Sequence, residues 1–118
     1  MAEGFANFYG SDVLIAASAG LSPMPRIVQE TVDAMAEVGI DISHHIPSWY
    51  EPALAARYDM VVNMSGYILP GRPPANVVEW DVLDPYMKSM STYRKVRDGL
   101  ENSVMQLILK LRNTKKPV

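Results

Sequence analysis

The sequence predicts an α/β domain in which helices cover a parallel sheet. Two observations carry this expectation. Val13-Leu14-Ile15-Ala16-Ala17 and Asp59-Met60-Val61-Val62-Asn63-Met64 are short apolar runs, as expected of strands buried on both faces. Stripes with helical spacing alternate with these runs, and alternating strands and helices favour a sheet with helices on both sides.

The elements follow in order. Met1, Phe5 and Phe8 fall at i, i+4 and i+7, one face of a short helix that Gly10 can close. A helix of about nine residues is marginal alone, so it has to pack on something. The first strand is residues 13–17, and Ser18-Ala19-Gly20 turns the chain. Pro23 and Pro25 punctuate the next connection. Val28, Val32, Met35 and Val38 form a second helical stripe, with Gly39 placed for a left-handed C-terminal cap. Ile40-Asp41-Ile42 reads as a short edge strand. Pro52 suits the first turn of a short helix through Ala53, Leu54 and Ala56. Residues 59–64 are the second buried strand, and 65–76 form a loop rich in Gly and Pro. Val77-Val78-Glu79-Trp80-Asp81-Val82 is a third strand, broken by Asp84-Pro85. Tyr93, Val96, Leu100, Val104, Leu107 and Leu111 advance by three or four residues, which predicts a final helix of about twenty residues, roughly 30 Å long. The expected division is a domain over 1–112 and a tail over 113–118.

Bulk properties narrow the classes of function. A chain of 118 residues, 48% hydrophobic, is one domain with a sizeable core. A net charge of −2 and a pI near 5.6 give no general pull toward nucleic acid or an anionic membrane. No apolar run approaches the ~20 residues that span a bilayer, and the first residues do not resemble a signal peptide. The expected setting is cytoplasmic. These residues contain no cysteine, which leaves no disulfide, thiolate metal site or thiol nucleophile among them. In open parallel sheets the site lies beyond the carboxyl ends of the strands. That points to the loops at 18–25, 65–76 and 83–89.

Four segments carry a resemblance. They are Met1-Ala2-Glu3-Gly4-Phe5-Ala6, Ser18-Ala19-Gly20, Gly39-Ile40-Asp41-Ile42-Ser43 with His44 and His45, and Asp84-Pro85 ahead of a long helix. In this order and spacing the chain resembles the low-molecular-weight protein tyrosine phosphatases and, within them, the bacterial branch of thiol-dependent arsenate reductases. The resemblance implies a three-layer, flavodoxin-like fold with sheet order 2-1-3-4. It also implies a strand and a Cys-x5-Arg-Ser loop ahead of a helix that opens like Met1-Ala2-Glu3-Gly4. In the family the loop's thiolate attacks a phosphate or arsenate while backbone N–H groups, the arginine and the helix N-terminus hold the oxygens.

This chain begins just after that loop, so the expected sheet lacks its first, central strand. The strands at 13–17 and 59–64 would then each carry an unpaired edge. Either they pair directly or a second copy supplies the pairing, and a homo-oligomer is the favoured repair.

By the same resemblance, Asp84 takes the place of the general acid that protonates the leaving oxygen and later activates water. Pro85 sets the turn that presents it. Tyr86 stands where an aromatic lines the phosphotyrosine cleft. Ser18 and one of His44 and His45 match residues that support the phosphate loop. The reductases carry further cysteines near Asn63-Met64-Ser65-Gly66, where this chain has no thiol. The expected partners are a phosphate- or arsenate-type oxyanion or phosphotyrosine, with no cofactor and no metal. The expected state of these residues alone is catalytically inactive. The alternative is a non-catalytic interaction module that keeps the fold and contacts partners through Trp49, Tyr50, Tyr67 and Tyr86.

Other residues have plainer readings. Glu79 and Asp81 share one strand face and read as solvated. His44 and His45 lack the accompanying ligands of a metal site. Trp49 and Tyr50 read as a surface loop packing on the core. Arg94, Lys95 and Arg97 are expected on the outer, solvated face of the last helix. Pro73-Pro74 leads into a strand rather than a helix N-terminus, which argues against a phosphate cradle there.

Overall fold

The computed structural model describes residues 1–72, 74 and 76–115. Its elements in chain order are α1 (Ala2–Tyr9), α2 (Gln29–Ala36), α3 (Pro52–Ala55), β1 (Val61–Asn63), β2 (Val77–Glu79) and α4 (Met90–Lys115). β1 and β2 pair in parallel, with Val61 opposite Val77 and Asn63 opposite Glu79. The expected parallel α/β architecture is present, with a two-stranded sheet among the described residues.

The core lies where α1 and α2 pack on α4. Phe5, Met35, Ile40, Leu100, Val104 and Ile108 are buried together, and Met64, Trp80 and Val82 close over them from the sheet side. Gly10 ends α1 against α4. A Cβ added there would stand 2.8 Å from two carbons of Ile108, so glycine permits the close approach. Arg112 ties the far end of α4 to the end of α1, donating to Tyr9 O at 2.8 Å and pairing with Asp12 at 2.9 Å.

α2 ends as its glycine predicts. Gly39 has φ +80°, its N–H bonds Ala36 O at 3.0 Å, and Ile40 N–H reaches back to Met35 O at 3.1 Å. This pair of bonds is a Schellman ending, and Ile40 and Met35 supply its buried apolar contact. Pro52 opens α3 at its first turn.

Several expectations are corrected. Residues 13–17 form no strand. The described ladders are β1 with β2 and a single bridge between Gly20 and Trp49. With no strand beside it among the described residues, the segment bonds otherwise: Val13 N and Leu14 N donate to Gly10 O at 3.0 Å, Ala16 pairs with the Asn7 amide, and Ile15 stands 91% exposed. Direct pairing of 13–17 with β1 is therefore not the repair adopted. Ile40 to Ile42 is irregular, because the Schellman turn that precedes it sends Ile40 into the core. The strand expected over 59–64 narrows to β1. The strand expected over 77–82 narrows to β2.

On α1 the buried pair is Phe5 and Ala6, while Phe8 lies outside and meets Tyr9 edge-on at 5.0 Å. α4 buries Tyr93, Arg97, Leu100, Val104 and Ile108. Arg97, expected in solvent, is 8% exposed: its Nη1 donates to Ala34 O at 3.0 Å and to Glu37 at 2.6 Å. α4 runs to Lys115, so 113–115 of the expected tail are helical. Residues 116–118 of that tail and Pro73 of the proline pair lie outside the described residues.

Candidate functional site

Three side chains meet at the N-terminal end of α1. Ser18 Oγ donates to Glu3 Oε1 at 3.0 Å and lies 3.3 Å from His45 Nε2. His45 Nδ1 lies 3.1 Å from Glu3 Oε2. Glu3 is in the first turn of α1, where the helix dipole favours a carboxylate. Ser18 sits at the turn after the extended segment, and Ser48 Oγ donates to its carbonyl at 3.1 Å. The neighbouring Gly20 is held by Ser48 O at 2.9 Å and Tyr50 N at 2.8 Å. His45 follows a turn in which Asp41 accepts from Ser43 N at 2.8 Å. Hydrogen bonding from the Ser43 hydroxyl, and then from its N–H, holds the Asp41 carboxyl below the ordinary carboxylate value.

A groove of about 390 Å³ opens beside the cluster, lined by Asn7, Phe8, Ile40, Ile42 and His44 as well as Glu3 and His45. Gly4 lets α1 approach its wall: a Cβ there would meet Ile42 at 3.1 Å and Met35 at 3.2 Å. His44 is exposed and lines this groove and a second one of about 430 Å³ beside Arg26.

Asp84 lies on the connection from β2 to α4. Its Oδ1 accepts from Tyr86 N at 3.0 Å, an Asx turn that sets the aspartate against its own loop. Pro85 O accepts from Lys88 N at 2.9 Å, and Met87 takes φ +64° to complete the turn. Tyr86 is about half exposed, beside exposed Leu83 and Met87. Beneath this loop Tyr93 is buried. Its burial, with the charges of Glu30 and Asp84 and the neighbouring Tyr86, holds its hydroxyl above the ordinary tyrosine value.

On the third candidate loop, Asn63 is the hub. Its amide oxygen accepts from Ser65 N at 3.0 Å and Ser65 Oγ at 2.7 Å, and its amide nitrogen donates to Tyr67 O at 2.8 Å. This leaves Tyr67 and Ile68 exposed.

The structure therefore brings Ser18 and His45 together and adds Glu3. Asp84, Pro85 and Tyr86 share a loop of their own. No group of three or more metal-ligating side chains forms among the described residues.

The profile of the low molecular weight phosphotyrosine protein phosphatases matches residues 72–117, the stretch that holds Asp84, Pro85 and α4. The glutaredoxin arsenate reductase of Synechocystis sp. is 34% identical over 116 residues, covering 94% of this chain and 87% of that protein. The chain belongs to the low-molecular-weight phosphatase and arsenate reductase family. Arsenate reductase 1 of Staphylococcus epidermidis is another relative, 32% identical over 88% of this chain and 81% of its own. A solved arsenate reductase in the phosphate binding state superposes with a TM-score of 0.81 at 33% identity, covering 93% of this chain and 86% of that one.

Sequence reasoning missed the part played by Glu3. It stands inside Met1-Ala2-Glu3-Gly4, a segment recognised for its pattern, yet no partner for its carboxylate could be read before Ser18 and His45 were placed.

Proposed function

We propose that this chain is a phosphate- or arsenate-handling scaffold of its family, acting in the cytoplasm, and that its 118 residues alone do not turn over a phosphate monoester. Asp84 is the general acid position. Pro85 and Tyr86 shape its turn and the cleft wall. Ser18 and His45, joined by Glu3, form the support on which an oxyanion-holding loop rests. The observation that carries the reading is the meeting of Ser18 and His45 at the start of α1, since the family resemblance gave Ser18 and one of His44 and His45 the same supporting task. Thiolate attack needs a cysteine, and none is present among these residues. Incubated with p-nitrophenyl phosphate, or with arsenate and a thiol reductant, the purified chain gives no turnover above buffer. Sustained hydrolysis by homogeneous protein would refute the inactivity.

The same reading includes self-association. Ile15 stands exposed in an apolar run, and among the described residues no strand lies beside the segment around it. A second copy covers that edge, and light scattering reads the result directly as a dimer mass. A monomer at tens of micromolar would exclude it.

A further inference from the structure

Ser18 is the one hydroxyl among the described residues with an imidazole within hydrogen-bond reach, and that imidazole is itself held by a carboxylate. We propose that Ser18, His45 and Glu3 form a nucleophile, base and orienting group that react with small aryl esters of carboxylic acids. This activity is separate from phosphate chemistry and needs no thiol.

The tautomer follows from the contacts. An ionised carboxylate only accepts, so the 3.1 Å approach of Glu3 Oε2 requires the proton on His45 Nδ1. The lone pair of Nε2 then faces Ser18 Oγ at 3.3 Å. Glu3 Oε1 also accepts from Ser18 at 3.0 Å, so the hydroxyl proton has two basic acceptors and passes between them by rotation about Cβ–Oγ. Ser18 is exposed, so an ester reaches it from solvent. Phe8, Ile40 and Ile42 line the adjoining groove and offer apolar walls for an aryl group.

In the step itself, Ser18 Oγ attacks the carbonyl carbon and its proton moves to His45 Nε2. The bond to the aryl oxygen breaks, and the leaving phenolate takes that proton. Acyl-Ser18 remains. Water then attacks the acyl carbon and gives a proton to Nε2. The carboxylic acid departs as the proton returns to Ser18 Oγ. Glu3 stabilises the transient imidazolium throughout.

The test uses the whole chain with p-nitrophenyl acetate, following p-nitrophenolate release and locating the acetyl group by peptide mass. The expected result is acetyl on Ser18, lost in Ser18→Ala, with a rate about 10²-fold lower in His45→Gln, the scale of one positioned general base. Glu3→Gln keeps the shape but no longer sets the tautomer, so it lowers the rate and moves the pH profile of acylation. Acetyl found only on lysine, tyrosine or His44 would overturn the proposal, as would undiminished turnover in Ser18→Ala. Circular dichroism of each variant separates loss of chemistry from loss of fold. Because the substrate is a carboxylic ester, this outcome is independent of the phosphate assay above.

Discussion

Asn7 pairs with Ala16 as a neighbouring strand would. Its amide nitrogen donates to Ala16 O at 3.1 Å, and its amide oxygen accepts from Ala16 N at 3.0 Å. One side chain thus supplies both ladder-like bonds to Ala16, in a segment with no strand beside it among the described residues. Asn7→Ala removes both, and Asn7→Asp removes the donor. At about 0.5–1.5 kcal/mol per bond, the alanine variant loses roughly 1–3 kcal/mol in urea unfolding. Amide exchange at residues 15–17 speeds up well before the rest of the chain.

Arg97 is the buried cation that joins α4 to the end of α2. Arg97→Ala leaves Ala34 O without its donor and takes one of two arginines from Glu37. An orphaned buried acceptor costs about 1–3 kcal/mol, so the unfolding free energy falls by that amount and the urea midpoint moves down with it. Arg97→Lys recovers part of the loss, because one ammonium cannot make all of the guanidinium's contacts.

Glu37 sets an acid limit. Hydrogen bonds from Arg94 and Arg97 hold its carboxyl down at about 2, from an ordinary 4.5. A depressed folded value means that its contribution to stability is full above the unfolded value and is lost as pH falls through the folded one. Thermal midpoints measured from pH 5 down to pH 2 therefore decline across that window. In Glu37→Gln the decline is shallower, and the variant is less stable than the parent at pH 6.

Met87 is the one non-glycine residue with positive φ among those described. A left-handed conformation costs a branched or long side chain about 1–2 kcal/mol, and its side chain is exposed and contributes little packing. Met87→Gly therefore raises the unfolding free energy by about 1 kcal/mol. Gly39→Ala, at φ +80° with open space around it, falls by about the same amount through backbone strain alone.

What the sequence made legible follows from where the information lies. α4, the Gly39 ending and the proline start of α3 depend on local period and local φ, and these stand in the chain itself. Family spacing pointed to Ser18 and to one of His44 and His45, and the structure brings Ser18 within 3.3 Å of His45. The extended segment at 13–17 was misread because its composition describes a strand whose partner must come from elsewhere. Arg97 was misread because a cation's burial depends on a carbonyl and a carboxylate on another helix. Glu3 was passed over for the same reason: its partners lie on two distant turns.

We take Asp84 to be the acid of a phosphate-handling scaffold. The most direct measurement joins a strand and a Cys-x5-Arg-Ser loop ahead of Met1 and follows hydrolysis of p-nitrophenyl phosphate with and without Asp84→Asn. The joined protein is expected to turn over, and removing the carboxyl to lower kcat by about 10²–10⁴-fold, the range for one positioned general acid. A folded, active joined protein in which Asp84→Asn changes nothing would contradict it.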